Sequence, residues 1–396
     1  MFRLNPGQIH RAVRTFVATV EKIRPRGLVP APAASADFIA RARNASYECF
    51  VTASALSLDD IAGVVRDIID HVTRSAARSV PPTAEIVVAD SQYLPWEWLA
   101  FPAPRRRPAG RSGADDDYEP AHDLADVLGF ASIVRRRFDT DQPGRPAPPL
   151  SYRLAAPLVL RATADARVPL QYVRHVGLDG AARQEGYFNY RRASIDLIGP
   201  LPLDANVDAF DLGEHLVDPF AASQGRTRDQ IVHIHCHHDV KATDTDNEEH
   251  TSRLVLRDQP VFEVTYTQLQ ETLANPARRL EVTGHRPLVF LNLCRGDFDP
   301  RSTQSISELL LRNGNRGVVS TSIKVPDEVA AHFAHLFYEH LLFRPGATAG
   351  EALQRAKVDL ARRHKNPLGL VYTYSGEAGL FVAPSLTATE QVPMPI

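Results

Sequence analysis

The sequence predicts an α/β chain built on a mostly parallel sheet with helices on both faces. Three observations carry that expectation. After residue 150, short apolar runs of strand character alternate with amphipathic helical stretches, the pattern of strand–helix–strand units. Two of those runs stop abruptly at reactive side chains, in DQIVHIHCHHD (Asp229 to Asp239) and in RPLVFLNLCRGD (Arg286 to Asp297). Strand ends of this kind lie at the carboxyl edge of a sheet, where open α/β folds place their chemistry. Finally, hydrophobic residues make up 44% of 396 positions, enough for one large α/β unit or two domains with a sizeable core.

The elements follow in order. Residues 8 to 23 carry Ile9, Val13, Phe16, Val17 and Val20 at helical spacing. The stretch from Arg24 to Ser35 is rich in proline and alanine and reads as a linker without regular structure. A second helix is expected over 57 to 77, with Leu58, Ile61, Val64, Val65, Ile68 and Ile69 on one stripe, then a strand from Ala84 to Asp90. Two polar stretches, Pro102 to Pro120 and Asp139 to Pro149, read as a loop and a domain boundary. Further strands are expected at Ala156 to Arg161, Ala193 to Ile198, Ile231 to His235, Leu288 to Leu293, Gly317 to Ser322 and Leu370 to Tyr374. Helices fit Ser305 to Arg312, with Gly314 as a stop, and Asp327 to Leu342. Thr348 with Glu351 three residues on is a capping box that opens a last helix. The domain boundaries expected are 1–40 for an N-terminal helix and linker, 41–150 for an N-terminal α/β lobe, 151–385 for the core and 386–396 for a tail.

Composition excludes several classes of function. The formal net charge of −2 gives no global field to recruit nucleic acid or an anionic membrane. No apolar run approaches the length of a membrane span, and the N-terminus lacks the apolar segment of a secretory signal. Three cysteines are too few for a disulfide framework and fit a reducing compartment, so the expected location is the cytoplasm.

Cys294 follows an apolar strand and precedes Arg295 and Gly296. Free backbone amides at a following turn, with the nearby guanidinium, would raise its thiolate fraction; its other reading is a small buried hydrophobe. His233, His235 and His237 alternate and share one face if the strand runs through them. His237 and His238 stand where the chain leaves the sheet, and either can serve as a general base toward Cys294. A metal-dependent hydrolase using His233, His235 and His237 is a competing reading, since imidazoles at alternate positions can bind zinc. The acidic loop from Asp239 to Glu249 lacks the turn glycine of a calcium site.

These blocks resemble the CHAT peptidases, relatives of caspase and separase. The histidine block Val232-His233-Ile234-His235-Cys236-His237-His238 falls on the family's apolar-His-apolar-Ala-Cys-His-Gly, and Phe290-Leu291-Asn292-Leu293-Cys294 on its Leu-x-x-Cys block. The two are spaced much as in caspase-like peptidases. Ser252 to Asp258, Gly314 to Ser320, Gly350-Glu351-Ala352-Leu353 and Leu94-Pro95-Trp96-Glu97 are similar to further family elements, so the likeness spans about residues 80 to 385.

The resemblance implies a caspase-like fold and a cysteine endopeptidase with His237 and Cys294 as catalytic dyad, Cys236 being a motif residue. It implies an oxyanion hole from the backbone amides of His238 and Cys294, and substrate contacts at Asn292, Ser320, Thr321 and Asp239. Asn292, two residues before the nucleophile, is neutral, so strong selection of basic residues is not expected from it. No cofactor or metal is implied. The partner implied is a protein or peptide substrate, cut at a specific site as in bacterial defence modules that activate an effector, with an activating sensor as second partner. Two residues depart from the family pattern: His238 stands where the family has glycine, and Ile323 where it has tryptophan. A histidine at a position that needs positive φ would be strained, which keeps open a catalytically inactive interaction module with the same fold.

Overall fold

The computed structural model describes residues 6–54, 57–76, 85–88, 94–99, 127–131, 133–136, 159–161, 167–201, 212, 216, 231–242, 250–274, 287–293, 305–312, 315–376 and 380–383. Eight strands form the main sheet: β1 (Glu85–Val88), β2 (Ile133–Arg136), β4 (Val168–Arg174), β5 (Ile195–Leu201), β6 (Ile231–His235), β10 (Leu288–Asn292), β11 (Gly317–Thr321) and β12 (Tyr372–Gly376). Their order is β1-β2-β12-β11-β10-β6-β4-β5. Every pairing among them is parallel except that of β11 with β12. The fold class read from the sequence, a mostly parallel sheet flanked by helices, is the one observed.

Alternation along the central strands explains the two layers. Ile231 of β6, Leu288 and Phe290 of β10, and Leu170 and Tyr172 of β4 face one core. Val232 and Ile234, Val289 and Leu291, and Val173 face the other. Both faces are apolar, as strands covered on both sides require. The first core holds α1 (Pro6–Ile23), α2 (Pro32–Ser54), α3 (Leu58–Ala76), α4 (Leu128–Ala131), α5 (Asp179–Tyr190), and the two long helices that follow β11, α8 (Asp327–Phe343) and α9 (Ala349–His364). The second holds α6 (Tyr266–Ala274) and α7 (Ile306–Arg312). It also takes in part of a small antiparallel sheet of β7 (His237–Ala242), β8 (His250–Asp258) and β9 (Val261–Thr265). Strands β3 (Val159–Arg161) and β13 (Phe381–Ala383) pair separately. Among the described residues no helix is long and apolar enough to cross a membrane.

Local chemistry starts and stops these elements. The expected stripe on α1 is buried, with Ile9, Val13, Phe16, Val17 and Val20 all in the core. Thr348 caps α9 as its sequence suggests: its hydroxyl accepts from the Glu351 amide, and the Glu351 carboxylate accepts the Thr348 amide. Thr265 and Gln268 make the same reciprocal exchange at the start of α6.

The linker expected from Arg24 to Ser35 ends sooner, because α2 begins at Pro32. Proline is well suited to the first turn of a helix, where its missing N–H is no loss, and the alanines that follow favour helix. The β1 and β2 strands of the segment expected as an N-terminal α/β lobe extend the main sheet beyond β12, so residue 150 marks no break in that sheet. The stretches 102–120 and 139–149 and the stop at Gly314 lie outside the described residues.

A histidine cluster ties α8 to α9. The Nε2 atoms of His332 and His364 are 2.8 Å apart, and the His335 ring stacks on Tyr187 at 4.4 Å. Burial, then the His364 and Arg363 charges, push His332 down to about 4; burial, then His332 and His235, push His335 down to about 3. Both values lie below the 6.5 of an ordinary imidazole, so the unfolded chain takes up more protons than the folded one. Stability is therefore present above pH 6.5 and is lost as pH falls toward 4 and 3. Each ring contributes a slope of up to about 1.4 kcal/mol per pH unit within its window. The expected outcome is a urea midpoint that falls steadily between pH 6.5 and 4.5; a flat profile there would contradict this account.

Candidate active site

Chain order and strand order part company at β4. From β4 the chain moves to β5 on one side, then returns to β6 on the other and continues outward to β10 and β11. Such a reversal leaves a crevice at the carboxyl ends of the two strands that flank it. Two histidines stand at that crevice, His175 just after β4 and His237 just after β6. The His175 amide donates to the His235 carbonyl at 2.7 Å, and the Val176 amide to Leu256 at 3.0 Å, which joins the end of β4 to both β6 and β8.

His237 is half-buried. Its ring meets that of His175 edge to face, with centroids 4.9 Å apart. His175 is buried, at 2% exposure, and its Nδ1 accepts the Gly177 amide at 3.0 Å. Its Nε2 lies 3.5 Å from Oδ2 of the exposed Asp258. One polar atom from each of His175, His237 and Asp258 falls within 4.8 Å of the others. Burial, followed by the charge of His237, holds the His175 ring below the ordinary imidazole value, against the pull of Asp258.

Beneath this edge runs a buried polar chain. His235 Nε2 donates to Asp327 Oδ1 at 2.8 Å, and the other oxygen of Asp327 accepts the Gly180 amide at the start of α5. A side chain on residue 180 would displace that carboxylate from its place against the amide. On the other side of the ring, His235 Nδ1 lies 3.5 Å from the Asn292 amide nitrogen, and Asn292 Oδ1 accepts the Tyr372 hydroxyl at 2.9 Å. Burial works to raise Asp327, but the hydrogen bond and charge of His235 with the Gly180 amide outweigh it and hold the carboxyl below its ordinary value. His233 lies deeper, stacked on Phe290 at 4.9 Å with Nδ1 3.0 Å from the Tyr338 hydroxyl.

The metal set expected as a competing reading, His233, His235 and His237, is not assembled. His233 and His235 commit ring nitrogens to Tyr338 and Asp327 under the sheet, whereas His237 opens β7. The group with metal-ligand spacing among the described residues is His175, His237 and Asp258.

Cys294 lies outside the described residues. Leu293, its neighbour, is buried and its carbonyl accepts the Thr321 hydroxyl. Strands β6 and β10 are parallel neighbours with Asn292 opposite His235. In sequence Cys294 follows Asn292 by two residues, as His237 follows His235.

The remaining expected site residues have other duties. Asn292, Ser320 and Thr321 are buried at 3%, 0% and 0% exposure, which closes their side chains to a substrate. Asn292 is fixed by Tyr372, and Ser320 lies 3.1 Å from Ser307. The backbone of Ser320 and Thr321 is opposite Thr373 and Tyr372 of β12, so an added strand has no room on that side. The expectation for Asn292 came from its place two residues before Cys294 in the family resemblance, and that for Ser320 and Thr321 from the end of their strand, where β12 lies alongside. Asp239 accepts from Arg253 at 2.9 Å, and Arg253 also binds Glu263. His238 sits in β7 opposite Leu254. Lys365 is the single non-glycine residue with positive φ among those described, so the strain expected at His238 does not arise. Ile323 is buried in the core at 1% exposure.

Sequence reasoning missed His175 because it missed β4, and read Asp258 only as the end of the strand after the histidine loop. In Val168-Pro169-Leu170-Gln171-Tyr172-Val173, the proline and glutamine disguise a strand whose period-2 signal is Val168, Leu170 and Tyr172.

Among known proteins, the family model described as CHAT domain matches residues 196–381. No curated protein matches the chain. A chain of the Saccharomyces cerevisiae separase–securin complex aligns at 11% identity and a TM-score of 0.38, over 65% of this chain and 14% of that one. The Arg-specific cysteine proteinase gingipain R aligns at 13% identity and 0.43, over 80% and 68%. The complex of Porphyromonas gingivalis RgpB pro- and mature domains aligns at 11% and 0.43, over 82% and 72%. The chain thus spans 14% of the separase-complex chain that it matches. The histidine block and the strand leading to Cys294 both lie inside residues 196–381, the segment that is similar to the CHAT domain model.

Proposed function

We propose that this chain is a cysteine endopeptidase whose dyad is His237 and Cys294. The observation that carries the reading is the register of β6 and β10. Asn292 lies opposite His235 on adjacent parallel strands, which run about 4.8 Å apart, and Cys294 and His237 each follow two residues later in sequence, which supports a dyad at the edge beside the topological reversal. The thiolate of Cys294 attacks the peptide carbonyl and forms a tetrahedral oxyanion, received by the backbone amides of Cys294 and His238. His237 gives its proton to the leaving amine, an acyl-enzyme forms, and water activated by His237 releases the new carboxylate. The substrate is a protein cut at one or a few sites in a partner, and a second protein acts as the trigger.

The test is incubation of the wild type and of Cys294→Ala with a proteome-derived peptide library, reading new N-termini by mass spectrometry. Cleavage confined to the wild type supports the proposal. Identical profiles from both proteins, with a labelled peptidyl electrophile failing to react at Cys294, sink it.

A further inference from the structure

We infer that Asp258 and His175 complete the acid–base unit around His237: the Asp258 carboxylate receives the ring N–H of the charged His237, and His175 holds that carboxylate in place. This rests on the reading of His237 as the catalytic base.

The argument starts from the His175 tautomer. Its Nδ1 accepts the Gly177 amide, so that nitrogen offers a lone pair and the proton of the neutral ring sits on Nε2. Nε2 is buried and makes no hydrogen bond of good geometry. A buried N–H without a partner is rare and marks a place where a partner belongs. Asp258 Oδ2 lies 3.5 Å from this Nε2, a small movement of an exposed carboxylate away from a hydrogen bond.

The same carboxylate belongs to the group that includes a polar atom of His237. When His237 takes the thiol proton, both its ring nitrogens bear hydrogen; one faces the sulfur and the other needs an acceptor. Around His237 stand His175 from the end of β4, Asp258 from β8, and Asp327 from α8, whose charge also reaches the ring. Asp327 is already committed to His235 and the Gly180 amide. Arg253 and Asp239, on the same small sheet, bind each other. Among the described residues, Asp258 is therefore the carboxylate that can answer His237. A divalent cation is the other use for such a trio, but it needs the Nε2 lone pair of His175, and the Gly177 amide selects the opposite tautomer.

Both residues act through His237 and are positioning residues. In Asp258→Asn, kcat is expected to fall about 10- to 100-fold with KM little changed. The alkaline limb of the pH–rate profile should move to lower pH, because a carboxylate that favours the charged ring is gone. Asp258→Glu should restore much of the rate. His175→Gln, which keeps an N–H donor, should lose less than His175→Ala. A second readout needs no turnover: in Cys294→Ala, the imidazole titration of His237 followed by nitrogen NMR should shift down when Asp258→Asn is added. If the chain cleaves nothing, the peptidase reading fails while this titration still decides the contact. An unmoved titration overturns the inference, as does stoichiometric zinc bound by the wild type and lost in His175→Ala.

Discussion

Replacing Cys294 with alanine is expected to lower kcat/KM on the best library peptide by on the order of 10⁴- to 10⁶-fold, and His237→Ala by a comparable factor. The two residues act on the same proton: without the base the thiol stays protonated, and without the sulfur the base has nothing to activate. The double variant should therefore be no slower than the worse single one, which is the signature of a unit rather than of two independent contributions. Neither change should alter stability much at position 237, where the side chain is half-buried and starts a strand. Progress curves on one peptide with all three variants make the measurement. Retention of a tenth of the wild-type rate by Cys294→Ala would remove Cys294 from the mechanism.

The second large effect is expected at Asp327. Alanine there removes at once the acceptor of the His235 Nε2 proton and that of the Gly180 amide. Removing one partner of a buried pair costs about 3–5 kcal/mol. Because the Asp327 side chain keeps 33% exposure, a smaller loss is expected, about 2–3 kcal/mol by urea denaturation. Asp327→Asn should fall between the two, since its carbonyl still accepts from one donor. The folded carboxyl lies below its ordinary value, so the contribution is present at neutral pH and disappears as pH falls through the carboxylate range. A loss below about 0.5 kcal/mol, the scale of an ordinary surface change, would mean that the His235 network does not hold β6 to α5 and α8. Because His235 lies two residues before His237, the same variant should also slow cleavage.

Much of this was legible in the chain itself, and the reasons are local. β6, β10 and β11 carry apolar residues toward both faces because both faces of the sheet are covered, and α9 announces itself through Thr348 and Glu351. What escaped depended on strand order. β4 carries Pro169 at its second residue and Gln171 inside, so its value shows only once β6 and β5 flank it. Asn292, Ser320 and Thr321 end their strands in sequence but meet β12 and Tyr372 in space. His175 and Asp258 lie far from His237 along the chain and meet it only through the reversal at β4. Pro32 reads equally as a breaker or as a first helical residue, and the packing of α2 against α1 decides for the helix.

The position of β12 has a consequence for how the chain behaves when cut. β12 lies between β11, its antiparallel neighbour, and β2, which comes from the N-terminal lobe. A nick anywhere between Arg136 and Val159 would therefore leave two pieces still zipped along one sheet, with α1 and α2 pressed into the core that α8 and α9 share. Such fragments should travel together through a sizing column and part only in denaturant. Clipping that stretch is not enough to shed the N-terminal piece; the sheet itself has to open.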